Sequence, residues 1–152
     1  MKKVALLSVI LSGAAGAAGF NPEGYWLTEN NDAKVHVYKC GAEICGKIID
    51  LKEKCRDGKS KLDPETNSPT IGLEIVKGFK SSGENTWDDG TVRDPKEGKT
   101  YSGTIEMPNE NQLDLRGYVG IKLFGRTSEW RRTSEQAKIP GSESDQSCKK
   151  AG

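Results

Sequence analysis

The residues best suited to chemistry are arginines interleaved with aromatics near the carboxyl end of the chain. If residues 121–132 form an extended strand, Lys122, Phe124, Arg126, Ser128, Trp130 and Arg132 fall on one face, because successive side chains of a strand alternate. Turned inward, that face sets Arg126 beside Phe124 and Trp130, where a guanidinium can pair with a carboxylate or phosphate between apolar walls. Asp114, Arg116 and Tyr118 share a face of the preceding stretch, and Tyr101 shares a core-directed face with Gly103, Ile105 and Met107. Tyr101 either packs as core or presents its hydroxyl to a cavity. With Trp26, the candidate ligand-lining set is Trp26, Tyr101, Arg116, Tyr118, Phe124, Arg126 and Trp130. The competing readings are an internal salt bridge from Asp114 and an outward-facing stripe. A small amphipathic or anionic molecule is the partner this set would suit.

Other constellations are weaker. Asp88, Asp89 and Asp94 could be paired carboxylates of the kind a glycosidase uses. They sit among turn-forming Gly90, Pro95 and Gly98, which favours solvated turns. His36 is the single imidazole, so a histidine-built metal site or a catalytic triad has no second member. No G-x-S-x-G or phosphate-loop pattern occurs. The expectation is a binding protein without catalytic residues, metal or cofactor. Lys plus Arg total 23 against 22 for Asp plus Glu, a net charge of +1. That balance lacks the basic excess of a nucleic-acid binder.

The amino end reads as an address. Met1-Lys2-Lys3 is a positive start, Val4 to Leu11 an apolar run, and Ala15-Gly16-Ala17 a small-residue cleavage site. Together they make residues 1–18 a secretory signal peptide cut near Ala17 or Ala18. The apolar run falls well short of the roughly 20 residues that span a bilayer. The product is therefore expected in the periplasm or outside the cell, with no membrane span. There the even count of four cysteines implies disulfides. Cys40 and Cys45 flank a four-residue hairpin connection, Gly41-Ala42-Glu43-Ile44, and face each other closely enough to bond. Elimination leaves Cys55 with Cys148. In the loop-entropy picture the short link contributes about 2 kcal/mol and the long one about 4.7 kcal/mol.

Short runs rich in β-branched and aromatic residues recur between turn signals at 24–28, 34–40, 44–51, 71–79, 86–93, 99–107, 112–118 and 121–132. This is the pattern of an all-β barrel or sandwich. Short links between neighbours favour an up-and-down meander, so the expected fold is a single all-β, eight-stranded antiparallel up-and-down barrel over residues 19–133, with a polar tail at 134–152 fixed only through Cys148. The 71–79 run is also compatible with a short helix. Residues 52–70 are too long and polar for a simple connection. They read as a mobile surface loop, or else as a lid or a protein-contact element. At eight strands the interior is either filled by side chains or holds one small ligand. The low apolar content, 34% including the leader, points to incomplete filling.

Gly24-Tyr25-Trp26 resembles the G-x-W signature of lipocalins. In that group the tryptophan closes the barrel base under a basic residue from a late strand, a part that Arg131 or Arg132 would take here. The wider set VHVYKCGAEICGKIIDL, WDDGTVRDPKEGKTY, LDLRGYVG and LFGRTSEWRR resembles the bacterial exported family called domain of unknown function 2147. The resemblance runs from Gly24 to Arg132 and implies a lipocalin-like barrel with no established activity. Thr91-Val92-Arg93 departs from the Ile-Tyr pair more usual in that family before Asp-Pro. Intact-mass measurement of the exported protein should find the first 17 or 18 residues missing; full-length protein in the membrane fraction would overturn the leader assignment.

Overall fold

The computed structural model describes residues 19–143 and Cys148; the leader lies outside the described residues. The described residues form ten strands: β1 (Gly24–Leu27), β2 (Ala33–Cys40), β3 (Glu43–Leu51), β4 (Cys55–Arg56), β5 (Lys59–Ser60), β6 (Glu74–Gly83), β7 (Thr86–Asp94), β8 (Lys99–Asn109), β9 (Gln112–Tyr118) and β10 (Arg126–Thr133). Eight of them close into one barrel in the order β1-β10-β9-β8-β7-β6-β3-β2, every pair antiparallel. Closure leaves no unpaired edge. The small β4-β5 hairpin is inserted between β3 and β6. The expected meander is thus observed. No helix among the described residues is long and apolar enough to cross a membrane.

Two runs are bounded differently from expectation. The sixth strand starts at Glu74 and is extended throughout, with no helix. The last strand begins at Arg126, because Lys122–Phe124 is a 3-10 turn. The physical reason is the reversal between β9 and β10: Gly120 supplies a φ of 79°, and pairing resumes only where Arg126 meets Gly117. The β2-β3 connection is also tighter than expected, since Cys40 already pairs with Glu43 around Gly41-Ala42. The Cys40–Cys45 disulfide therefore runs diagonally across the hairpin, with 5.8 Å between Cα atoms. The second bond, Cys55–Cys148, is formed as well.

Alternation puts one apolar side chain of every second residue inside. Trp26, Val35, Val37, Ile48, Val76, Phe79, Ile105, Met107, Leu113, Leu115 and Trp130 form one buried cluster. Phe79 fills the centre, and two glycines make its room. A Cβ on Gly90 would overlap the Phe79 ring, and one on Gly103 would lie 2.8 Å from it. The interior is therefore fuller than the apolar count suggested. Two hollows lie outside the barrel: a 190 Å³ cleft between Leu51, Pro69, Ile71 and Cys148, and an open 590 Å³ trough beside Phe20, Glu110 and Arg132.

Residues 52–70 form a strap tied to the barrel instead of a free loop. Asp57 and Gly58, both at positive φ, turn the β4-β5 hairpin, and Leu62 bridges to Pro69. Asp63 is fully buried and accepts both Arg93 Nε and Nη2 at 2.7 Å. It also accepts the backbone N–H groups of Glu65 and Thr66. The Arg93 guanidinium first, and then the Thr66 N–H, hold the Asp63 carboxyl well below the ordinary carboxylate range. The carboxyl-terminal segment is likewise docked by more than Cys148. Ile139 is buried, Lys34 Nζ donates to the Glu135 and Ala137 carbonyls at 2.7 and 2.6 Å, and Glu143 N–H donates to the Lys52 carbonyl.

Gly90→Ala should destabilise the fold by roughly 1–3 kcal/mol, the usual cost of overfilling a packed core; an unchanged chemical-denaturation midpoint would contradict the packing described. Asp63 has its folded pKa below the unfolded 3.8, so its contribution is present at neutral pH and lost as pH falls below about 4. Asp63→Asn should therefore lower Tm at pH 7 and leave a much smaller difference from the parent at pH 3, as followed by circular dichroism.

Candidate functional site at the mouth of the barrel

The meander sends alternate connections to opposite ends. Residues 19–23 and the β2-β3, β6-β7 and β8-β9 turns lie at one end, here the base. The β1-β2, β3-β6, β7-β8 and β9-β10 connections lie at the other, the mouth.

The base is sealed. Trp26 is fully buried, donates Nε1–H to the Pro22 carbonyl at 2.9 Å, and carries the Arg132 guanidinium 4.2 Å above its ring. Arg132 also donates to three carbonyls, those of Glu110 (2.6 Å), Glu23 (2.9 Å) and Asn21 (2.7 Å). One side chain thus joins the amino-terminal segment, the β8-β9 turn and β10. Burial lowers the pKa of its guanidinium somewhat, against an opposing pull from Glu110. Of the two arginines that the sequence leaves open, Arg132 takes this place; Arg131 reaches Asn31 on the outside. Phe20 packs on the core beneath them, with its N–H bonded to Asn85 Oδ1. Trp26 and Trp130 are therefore plug and core, both buried among apolar side chains.

The mouth is different. Register places Ser128 opposite buried Leu115, and Arg126 opposite Gly117, which in turn pairs with buried Gly103. Arg126 and Ser128 therefore belong to the inner face at the rim. Tyr101 pairs with Val92 and lies on the same face as Gly103, within 3.5 Å of where a Cβ on Gly117 would be. Leu115 and Val92 form the apolar floor. The Arg126 side chain is 86% exposed, its Nη2 3.6 Å from Glu29. Tyr101 donates its hydroxyl to Glu97 at 3.3 Å; burial, and then the Glu97 carboxylate, push its phenol up. Ser128 Oγ accepts Trp130 Nε1–H at 3.0 Å, which leaves its own hydrogen to donate. A cation, a phenol and a hydroxyl thus stand over apolar side chains.

The rest of the candidate set is scattered. Arg116 and Tyr118 pair with Thr104 and Ser102 on the outer face. Leu113 and Leu115 take the inner positions of β9 instead. Arg116 serves as a clamp, donating to the Lys122 and Leu123 carbonyls at 2.8 and 3.2 Å and to Thr127 Oγ1 at 2.9 Å. Phe124 sits on the 3-10 turn and does not flank Arg126 as a strand neighbour. The carboxylates also part. Asp94 Oδ1 accepts the Lys96 and Glu97 N–H groups in a turn, while Asp88 meets Lys122. Asp89 occupies a positive-φ position. His36 stacks on Tyr25 with ring centroids 4.7 Å apart. Among the described residues no group of three or more His, Cys, Asp or Glu side chains could hold a metal. The Asp63–Arg93 pair, which no sequence motif marks, is a two-bond contact to a fully buried carboxylate at this end.

Comparison with known proteins agrees with the architecture. A solved structure described as "Protein HP1028 from the human pathogen Helicobacter pylori belongs to the lipocalin family" superposes with a TM-score of 0.64 at 19% identity. The alignment covers 77% of this chain and 86% of that one, and at this identity it speaks for the fold alone. A search of curated proteins finds no match. A family model described as "Uncharacterized protein conserved in bacteria (DUF2147)" matches residues 24–132, every barrel strand but for the last residue of β10. With that span of the barrel matched, the chain belongs to the DUF2147 family.

Proposed function

We propose that this protein is an exported binding protein, periplasmic or secreted and not an enzyme, that holds a small amphipathic anion at the mouth of its barrel. The observation that carries this reading is the rim: Arg126, Tyr101 and Ser128 share the inner face above Leu115 and Val92. An anionic head would replace Glu29 on Arg126, and its apolar part would lie on the floor. The filled interior makes this a shallow seat, suited to a short ligand or one end of a longer one. Two disulfides fit an oxidising compartment. A protein-contact role for residues 52–70 has less support, because the main polar anchor of that strap, Asp63, is spent on its own barrel.

Native mass spectrometry and calorimetry with oleate, dodecyl phosphate and uncharged dodecyl glycerol test the reading. The two anions should bind better than the neutral lipid. Arg126→Ala should weaken anion binding by about tenfold, the scale of one lost charge-assisted hydrogen bond. Arg131→Ala, on the outer face, should leave it unchanged. Equal affinity of the parent and Arg126→Ala, or no complex with any of the three, would defeat the proposal.

A further inference from the structure

The β9-β10 connection carries an apolar surface that neither the barrel nor the mouth uses. Val119, Ile121, Leu123 and Phe124 are 75%, 55%, 77% and 79% exposed, four large apolar side chains within six residues. Scattered single apolar residues on a surface need no explanation, but a contiguous cluster does. The cluster is held in place. Arg116 grips the carbonyls of Lys122 and Leu123 from below, and the Gly125 N–H donates to the Lys122 carbonyl at 3.1 Å. The fold thus fixes the backbone of this turn while leaving its apolar side chains in water.

The surroundings indicate what covers it. From Leu115 to Ser128 the chain has three cations, Arg116, Lys122 and Arg126, and no carboxylate. Arg116 is satisfied by carbonyls and a hydroxyl, so no acid neutralises it. Lys122 and Arg126 reach Asp88 and Glu29 only through exposed surface pairs, at 3.2 and 3.6 Å. Such pairs are weak and open readily. The turn is a projecting tip of apolar side chains with cations at its foot. That arrangement matches the boundary of a phospholipid bilayer, where apolar side chains enter the acyl region and Lys or Arg meets anionic headgroups.

We propose that the Val119–Phe124 turn is a shallow membrane-interface anchor that seats the mouth end of the barrel on an anionic bilayer. The inference shares Arg126 with the ligand reading, but its apolar contact is the outer turn, and a barrel with an empty mouth would still dock.

The test uses the mature full-length protein with vesicles of phosphatidylethanolamine and phosphatidylglycerol at 3:1, and of phosphatidylcholine alone. Phe124→Trp should show a blue-shifted emission of the new indole on the mixed vesicles, and brominated acyl chains should quench it. The shift should be weaker on phosphatidylcholine. Leu123→Ser/Phe124→Ser should reduce partitioning to the mixed vesicles at least about tenfold, the scale of losing two inserted apolar side chains. Those side chains are exposed, so its thermal unfolding should match the parent. Lys122→Gln, at a residue the ligand reading does not use, should bring anionic and neutral vesicles closer together. No indole shift on either vesicle would overturn the proposal. So would a concentration-dependent dimer by light scattering that Leu123→Ser/Phe124→Ser abolishes, since a second copy would then be the occupant.

Discussion

The placement of Phe79 governs much of what this barrel can do. A closed sheet of eight strands leaves inside it space for side chains or for one small guest. Here Gly90 and Gly103 remove their own side chains, and the ring of Phe79 takes the volume they give up. With Trp26, Met107, Leu113 and Trp130 below it, the core is continuous to the base. The chain is poor in apolar residues, yet it places all three tryptophans and Phe79 in this core. That leaves the rim and the outer wall as the places where another molecule could be met.

The two ends answer different demands. At the base, one guanidinium replaces several separate contacts: Arg132 stacks on Trp26 and ties three carbonyls from two other segments. At the mouth, the ties run between connections. Asp63 fastens the strap to β7, Lys96 reaches Asp32 across two turns, and Arg126 meets Glu29. The strap is thus a built part of the rim. The buried Asp63–Arg93 pair sets its position, and the exposed pairs leave their neighbours free to exchange partners.

Much of this was legible in the residues. Alternation and turn chemistry located all eight barrel strands, and G-x-W located the base. The common face of Arg126, Ser128, Trp130 and Arg132 was also correct, because strand parity needs no knowledge of the partner strand. Phe124 was misplaced because V-G-I-K-L-F has the composition of a buried strand, and only Gly120 and Gly125 hint at the reversal. Arg116 and Tyr118 follow the outward-facing reading that the sequence left open, and Leu113 and Leu115 mark the inner face of β9 in plain alternation. The Asp63–Arg93 pair could not be read from spacing, since its members are thirty residues apart. The local clue was D-P-E-T, in which an aspartate caps its own turn through the N–H three residues on. The docking of Ile139 and Lys34 depends on a surface that exists only after the barrel has closed.

The crosslinks have a consequence for the order of assembly. A chain appears from its amino end first, so Cys40, Cys45 and Cys55 are all present well before Cys148. Cys40 and Cys45 are five residues apart and meet within one hairpin, a local event that needs no other strand. Cys55 must wait for a partner 93 residues downstream, and during that wait its thiol is available for exchange with the hairpin pair. The finished hairpin keeps the sulfurs of Cys40 and Cys45 near each other, which favours that pairing whenever exchange reopens it. The Cys55–Cys148 link encloses every strand from β6 to β10, so it can form only after all of them have been made.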